Sequence, residues 1–296
     1  MEETTVIQEE PQIKRVKPFD KRIHEIDFVR GVLIILVIMD HLFWCLKAYN
    51  LTWYNRTNIE AFNTIYQIFN FYWTSVARRI IQPLCLMAFC FVSGISCSFS
   101  KNNLKRGILA AGVWAIISIG SNVLQILIDQ GWLTIINGVL RVDFDIISVL
   151  AVSILLYCIV EKKTWRSILA TVLIMFLFTS FIVPMLRQSL AIYGGFTTTR
   201  PGGYYGENGT PTFYMPIFWE PQNQADYVPL LPYSMFFFLG ALLSYFIYKE
   251  RKQSIIKKKG NWERPICFFG RHTLIIYITH FFLLEGLFAL IGLFIK

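Results

Sequence analysis

Arg30 and His41 are the side chains from which a chemistry can first be read. Arg30 closes the run Glu25-Ile-Asp27-Phe-Val-Arg30-Gly31, and His41 follows inside the first long apolar segment, Phe28 to Leu46. On a helix, the steps from Arg30 to His41 at about 100° each return to within roughly 20° of the same face, about 16 Å further along the axis. A cation and an imidazole on one stripe of an apolar helix are costly in lipid, so they mark a polar path through it. The arginine suits an anionic group. The imidazole titrates near neutrality and suits the movement of a proton. A lone buried histidine is more often a hydrogen-bonded structural residue; neighbouring Asp40 and the same-face Arg30 bring the catalytic reading level with that one.

A second polar stripe lies in the last apolar segment, Gly270-Arg271-His272-Thr273-Leu-Ile-Ile-Tyr277-Ile-Thr279-His280. Thr273, Tyr277 and His280 fall at i, i+4 and i+7 and share a face. Such a stripe points into the bundle, either as interhelical hydrogen bonds or as part of a site. Arg78 and Arg79, then Arg141, Asp143 and Asp145, then Asp226-Tyr227 each stand at the start of an apolar segment, at the level expected for His41 and His280. Arg79, Asp145 and Asp226 could hold a substrate in an outward-facing pocket, or could form interfacial ion pairs that fix helix ends. Lys101, Lys105 and Arg106, on the opposite side, could hold phosphates or could serve only as a topology signal.

The elements that must position these groups are membrane helices. A chain of 296 residues that is 55% hydrophobic is too apolar for a soluble domain of this length. Apolar runs long enough to span a bilayer occupy roughly 27–47, 80–100, 107–128, 142–160, 167–189, 229–248 and 270–295. The half-apolar stretch Ala61 to Ala77, with Tyr66, Phe69, Phe71, Tyr72 and Trp73, reads as an interfacial or re-entrant helix. The fold class is therefore all-α: a polytopic transmembrane bundle of about seven spans, covering 27–296 behind a short cytoplasmic tail, 1–26. No cleavable signal peptide is visible.

Basic residues gather on alternate loops: Lys14 to Arg22, Lys101 to Arg106, Lys162 to Arg166 and Lys249 to Arg264. The positive-inside rule puts these loops and the N-terminus in the cytoplasm and the C-terminus outside, in a plasma-membrane protein. The net charge of +9 is explained by this pattern, and nucleic acid is not an expected partner. Six cysteines without a CxxC pair read as small core residues, and no metal is expected. Two outer loops are foreseen, 48–79 and 190–228. The second carries glycines and aromatics that suit either sugar stacking or a membrane belt. Asn50-Leu-Thr52, Asn55-Arg-Thr57 and Asn208-Gly-Thr210 match the short N-glycosylation pattern on that side.

Four stretches in order resemble a known family. Asp27-Phe-Val-Arg30-Gly31 with His41 resembles the first helix of transmembrane acyltransferases related to the catalytic domain of heparan-alpha-glucosaminide N-acetyltransferase. Phe91-Val-Ser93-Gly94-Ile-Ser96 with Lys105-Arg106-Gly107 resembles that group's second helix and basic loop. Asp226 through Ala241 resembles its penultimate helix, and Gly270-Arg271-His272-Thr273 through His280 its last. The resemblance implies transfer of an acetyl or short acyl group from acetyl-coenzyme A in the cytoplasm to an extracytoplasmic carbohydrate acceptor. It casts His41 as the group that activates the acceptor, and arginines near the cytoplasmic side as aids to the coenzyme. On the residues themselves, Asp40, Tyr277 and His280 could join His41 as catalytic groups, and Arg30, Lys101, Lys105 and Arg106 could dock the coenzyme. A homodimer is a compatible assembly. Many relatives open their fourth helix with a Gly-Ile-Leu-His-like run where this chain has Asp145-Ile-Ile-Ser148, so its acceptor or its activity could differ. Two other classes stay open on the residues: a proton- or anion-coupled transporter, which would call for internal repeats, and a non-catalytic membrane assembly protein.

Overall fold

The computed structural model describes residues 23–100, 102–130, 142, 144–160, 164–182, 228–248 and 261–295. These fold into helices throughout. α1 (His24–Thr57) is followed by α2 (Glu60–Thr74), α3 (Val76–Ser98), α4 (Asn103–Asp129), α5 (Ile146–Val160) and α6 (Trp165–Leu177), which runs on into a π-helical turn, Phe178–Ile182. Then come α7 (Leu230–Tyr248), α8 (Glu263–Arg271) and α9 (Thr273–Gly292). Six of the described segments are long and apolar enough to cross a membrane, and Ile146–Val160 is a shorter apolar helix. The all-α bundle foreseen from the apolar runs is what the chain forms.

Two features of the sequence set the frame around α1. Glu25 and Asp27 sit in its first turn, where negative charge complements the helix dipole. Asn58 ends it in the left-handed region (φ 55°, ψ 25°), with its N–H on the Tyr54 carbonyl. Asparagine tolerates this conformation better than most residues. The chain then folds back through α2 alongside α1. At the next corner, Ser75 caps α3 by accepting from the Arg78 N–H at 3.2 Å and donates to the Tyr72 carbonyl at 2.6 Å.

Glycines let two helix pairs touch backbone to backbone. A methyl group added to Gly94 would collide with the Phe237 carbonyl oxygen, and one added to Gly240 with the Phe91 carbonyl oxygen. α3 and α7 therefore run side by side in one direction, and farther along the pair Ser98 and Ser244 share a hydrogen bond and Phe99 packs on Tyr248. Gly31 and Gly270 do the same for α1 and α8, facing the backbone oxygens of Ile266 and Asp27. Small residues at helix contacts matter in lipid because packing replaces the hydrophobic drive. The core between these pairs holds Phe237, Phe238, Val149 and Cys90, all essentially inaccessible. Ile116, Ile119 and Val123 of α4 point outward, as lipid-facing side chains do.

The structure redraws several boundaries. α1 starts at His24 and outruns the predicted span, so most of the expected outer loop 48–79 is helical. The last segment breaks at His272 (φ −104°, ψ 19°), where the Thr273 hydroxyl turns back to the Gly270 carbonyl at 2.7 Å. Asn50 is buried within α1, with its amide on the Leu46 carbonyl, and so is not a glycan acceptor. Most of the tail 1–26 and of the aromatic loop 190–228 lies outside the described residues, as does Asn208.

Candidate active site

α9 lies beside α1 and runs in the same direction. His41, Cys45, Tyr49 and Trp53 recur every four residues on α1 and meet His280, Glu285 and Phe288 on α9. His41 Nδ1 lies 2.5 Å from His280 Nε2. The ring planes are 14° apart with centroids 4.8 Å apart. Face-to-face rings could not bring two nitrogens that close, so the imidazoles meet edge to edge, nearly coplanar. His280 Nδ1 lies 2.6 Å from the Tyr277 carbonyl and 3.2 Å from that of Ile276. Carbonyls only accept, so this nitrogen carries the proton and His280 Nε2 is the acceptor. His41 must then donate from Nδ1, which leaves its Nε2 with the lone pair that a general base needs. His280 is 6% exposed; His41 is half-buried.

Asp40 faces another way. Arg78 grips its carboxylate with two bonds, Nε to Oδ1 at 2.9 Å and Nη2 to Oδ2 at 2.8 Å, and the Tyr72 hydroxyl adds a third at 2.9 Å. The clamp joins α1, α2 and α3. Arg78 also stacks 3.4 Å from the centre of the Trp73 ring, with the Lys47 ammonium 5.6 Å from the same centre. Partial burial and the adjoining Asp40 charge push the Tyr72 phenol up to about 12, so it stays a donor across the physiological range. Arg79, beside this clamp, is exposed. Asp145 is buried and caps α5, its Oδ1 accepting from the Ser148 N–H at 3.0 Å. The departure noted at Asp145-Ile-Ile-Ser148 thus forms a helix start, and its two isoleucines face the cavity described next.

Arg30 and Arg106 come together on one cavity of about 260 Å³ among α1, α3, α4, α5, α8 and α9. Arg271 joins them, with its Nε 3.5 Å from Asp27 Oδ2. Ser93, Thr273 and Tyr277 supply hydroxyls, and Phe89, Ile147 and Leu150 supply apolar wall. Tyr277 links this cavity to the histidine pair: its ring is 5.5 Å from that of His280, and its carbonyl accepts from His280. Lys105 is exposed and is not among the lining residues. Lys101 and Asp226 lie outside the described residues.

Two groups in this arrangement escaped the sequence reading. Arg271 was readable as a cation at the head of the last apolar segment. Glu285 was readable as a lone carboxylate within an apolar helix, but its spacing from His280 does not repeat the Thr273–Tyr277–His280 stripe. Among the described residues, no cluster of three histidine, cysteine or acidic side chains could hold a metal ion.

The family model described as heparan-alpha-glucosaminide N-acetyltransferase, catalytic, matches residues 22–282. No curated protein and no solved structure matches.

Proposed function

Since this chain belongs to the heparan-alpha-glucosaminide N-acetyltransferase catalytic family, and so to a class of membrane acetyltransferases, we propose that it moves an acetyl group from acetyl-coenzyme A to an acceptor presented at His41. Enzymes of this kind use acetyl-coenzyme A as donor in general. The reading is carried by one observation: three arginines from three helices, Arg30, Arg106 and Arg271, converge on a cavity whose Tyr277 touches His280, the partner of His41.

The chain's residues suit that donor. Guanidinium groups bind phosphate oxygens in bidentate fashion, and the apolar wall of Phe89, Ile147 and Leu150 suits an uncharged pantetheine arm. Bound there, acetyl-coenzyme A would supply a thioester activated toward an oxygen or nitrogen nucleophile. The rise of about 16 Å along α1 from Arg30 to His41 is comparable with the reach of that arm. His41 Nε2 would take the acceptor's proton, and His280 would hold the ring in the tautomer that permits it. Tyr277, which lines the cavity and contacts His280, would polarise the thioester carbonyl. Lys101 and Lys105 would assist the coenzyme's phosphates from the cytoplasmic side that the basic loops favour. Arg79, Asp145 and Asp226 are proposed on the acceptor's side, with Asp145 acting through the start of α5. The acceptor class that best fits the family's name and the aromatic outer loop is a cell-envelope carbohydrate.

The test is acetyl-coenzyme A binding and acetyl transfer or slow hydrolysis by the purified protein in detergent, wild type beside His41→Ala. Binding by both with turnover by wild type alone is the expected result. Equal turnover by a folded His41→Ala protein would remove His41 from the mechanism, and no binding by either would sink the enzyme reading.

A further inference from the structure

We propose that Glu285 is a positioning residue that stabilises positive charge on the His41–His280 pair. The inference rests on the acetyl-transfer reading for its role in turnover, while the electrostatic link can be measured without turnover. Glu285 stands in α9, beyond His280, with donors on both of its oxygens. The Tyr49 hydroxyl reaches Oε2 at 2.6 Å and the Cys45 thiol reaches Oε1 at 3.7 Å. Two donors aimed at two oxygens suit an acceptor-only carboxylate. Tyr49 and Cys45 stand on the α1 stripe that begins at His41, so the Glu285 carboxylate meets α1 one to two turns beyond the imidazole. In a low-dielectric setting a fixed negative charge near an imidazole favours the imidazolium.

The other charges around the pair are already engaged. From α3, Arg78 neutralises Asp40 of α1, and Tyr72 of α2 caps the same carboxylate. Lys47 leans toward Trp73. From α8, Arg271 is directed to Asp27. Glu285 is therefore the carboxylate, among the described residues, left to answer a proton arriving on His41. In the proposed reaction that proton leaves the acceptor's O–H or N–H for His41 Nε2 as the new bond to the acetyl carbon forms. It then passes to the departing thiolate as the carbon–sulfur bond breaks. Glu285 neither takes nor gives a proton.

The experiment uses the full chain in detergent with ¹⁵N-labelled histidine, comparing wild type, Glu285→Gln and Glu285→Asp. The chain has four histidines, so single His→Gln variants assign their signals. The expected result is a protonation midpoint for the His41–His280 pair that falls by about one pH unit in Glu285→Gln, with most of it restored in Glu285→Asp. The rising limb of the rate–pH profile should move the same way, with a plateau about 10-fold to 100-fold lower. Acetyl-coenzyme A binding reports folding, because Glu285 does not line the arginine cavity. Unchanged midpoints in a Glu285→Gln protein that still binds acetyl-coenzyme A would overturn the proposal. If Glu285→Gln fails to fold, Glu285→Asp decides: a lower rate with an unmoved midpoint would overturn the charge role. Shifted midpoints in a protein without any acetyl transfer would support the electrostatic link and reject the enzyme reading instead.

Discussion

His41 donates from Nδ1 to His280 Nε2 across 2.5 Å, and both atoms owe their roles to the backbone. Two carbonyls of α9 fix the proton on His280 Nδ1. That choice propagates to His41 and frees its far nitrogen. The backbone of one helix thereby sets the tautomer of a side chain on another.

Separating the base from its orienting partner follows directly. His41→Ala should lower acetyl transfer by about 10²-fold to 10⁴-fold, while His280→Ala should cost less, roughly 10-fold to 100-fold. Both should bind acetyl-coenzyme A like wild type. Single-turnover kinetics beside isothermal titration would separate the two effects, and equal losses would mean that the pair acts as one unit.

The arginine cavity predicts an opposite pattern. Arg30→Gln, Arg106→Gln and Arg271→Gln should each weaken acetyl-coenzyme A binding by roughly 10-fold or more, as expected for a lost charge-assisted hydrogen bond. Once saturated, turnover should change far less. Steady-state kinetics would show a KM effect, and affinity should fall with added salt. A loss confined to turnover, with affinity intact, would place the phosphates elsewhere.

The clamp on Asp40 predicts a stability defect. Arg78→Ala leaves a partly buried carboxylate with one donor and should cost roughly 3 kcal/mol. Thermal unfolding in detergent would show it as a lower midpoint, with Asp40→Asn in the Arg78→Ala background recovering part of the loss.

Tyr72 supplies the pH arm of the same clamp. Burial and the Asp40 charge push its phenol up to about 12, so the neutral, donating form contributes stability. That contribution is complete below the ordinary phenol value of about 10 and is lost as pH rises through about 12. Wild type minus Tyr72→Phe in alkaline unfolding should show a stability difference that is flat to about pH 10 and then shrinks. A difference already vanishing near pH 9 would refute this.

At the α3–α7 contact, Gly94→Val or Gly240→Val should disrupt the bundle more than most apolar exchanges. Each side chain would strike a backbone oxygen that cannot move aside. Overpacking of this kind costs about 1–3 kcal/mol and sometimes more. Size-exclusion profiles and expression yield in membranes would reveal it; a well-folded Gly94→Val protein would contradict the close approach.

Much of this arrangement was legible in the residues because helical periodicity fixes faces within one segment. Arg30 with His41, and Thr273 with Tyr277 and His280, needed nothing more than spacing. Their convergence did not follow from spacing, since it depends on α9 choosing α1 as neighbour. Asp40 illustrates the limit: adjacency to His41 suggested a catalytic pair, yet neighbouring positions on a helix point about 100° apart, and its carboxylate found Arg78 and Tyr72. Asp145 looked like a charge facing a pocket, and a helix start claimed it through local backbone bonding. Glu285 was overlooked because its complement, the repeat Cys45 and Tyr49, lies on a different helix.

The two histidines that meet are 239 positions apart, on α1 and α9. During synthesis, α1 enters the bilayer long before α9 exists. Until then Asp27 lacks Arg271 and His41 lacks His280, so the first helix is a poorly satisfied passenger in lipid. Until α9 arrives, the early α2–α3 corner with its Arg78 clamp can hold α1 in place. The histidine pair therefore closes only once α9 has been made and has docked on α1.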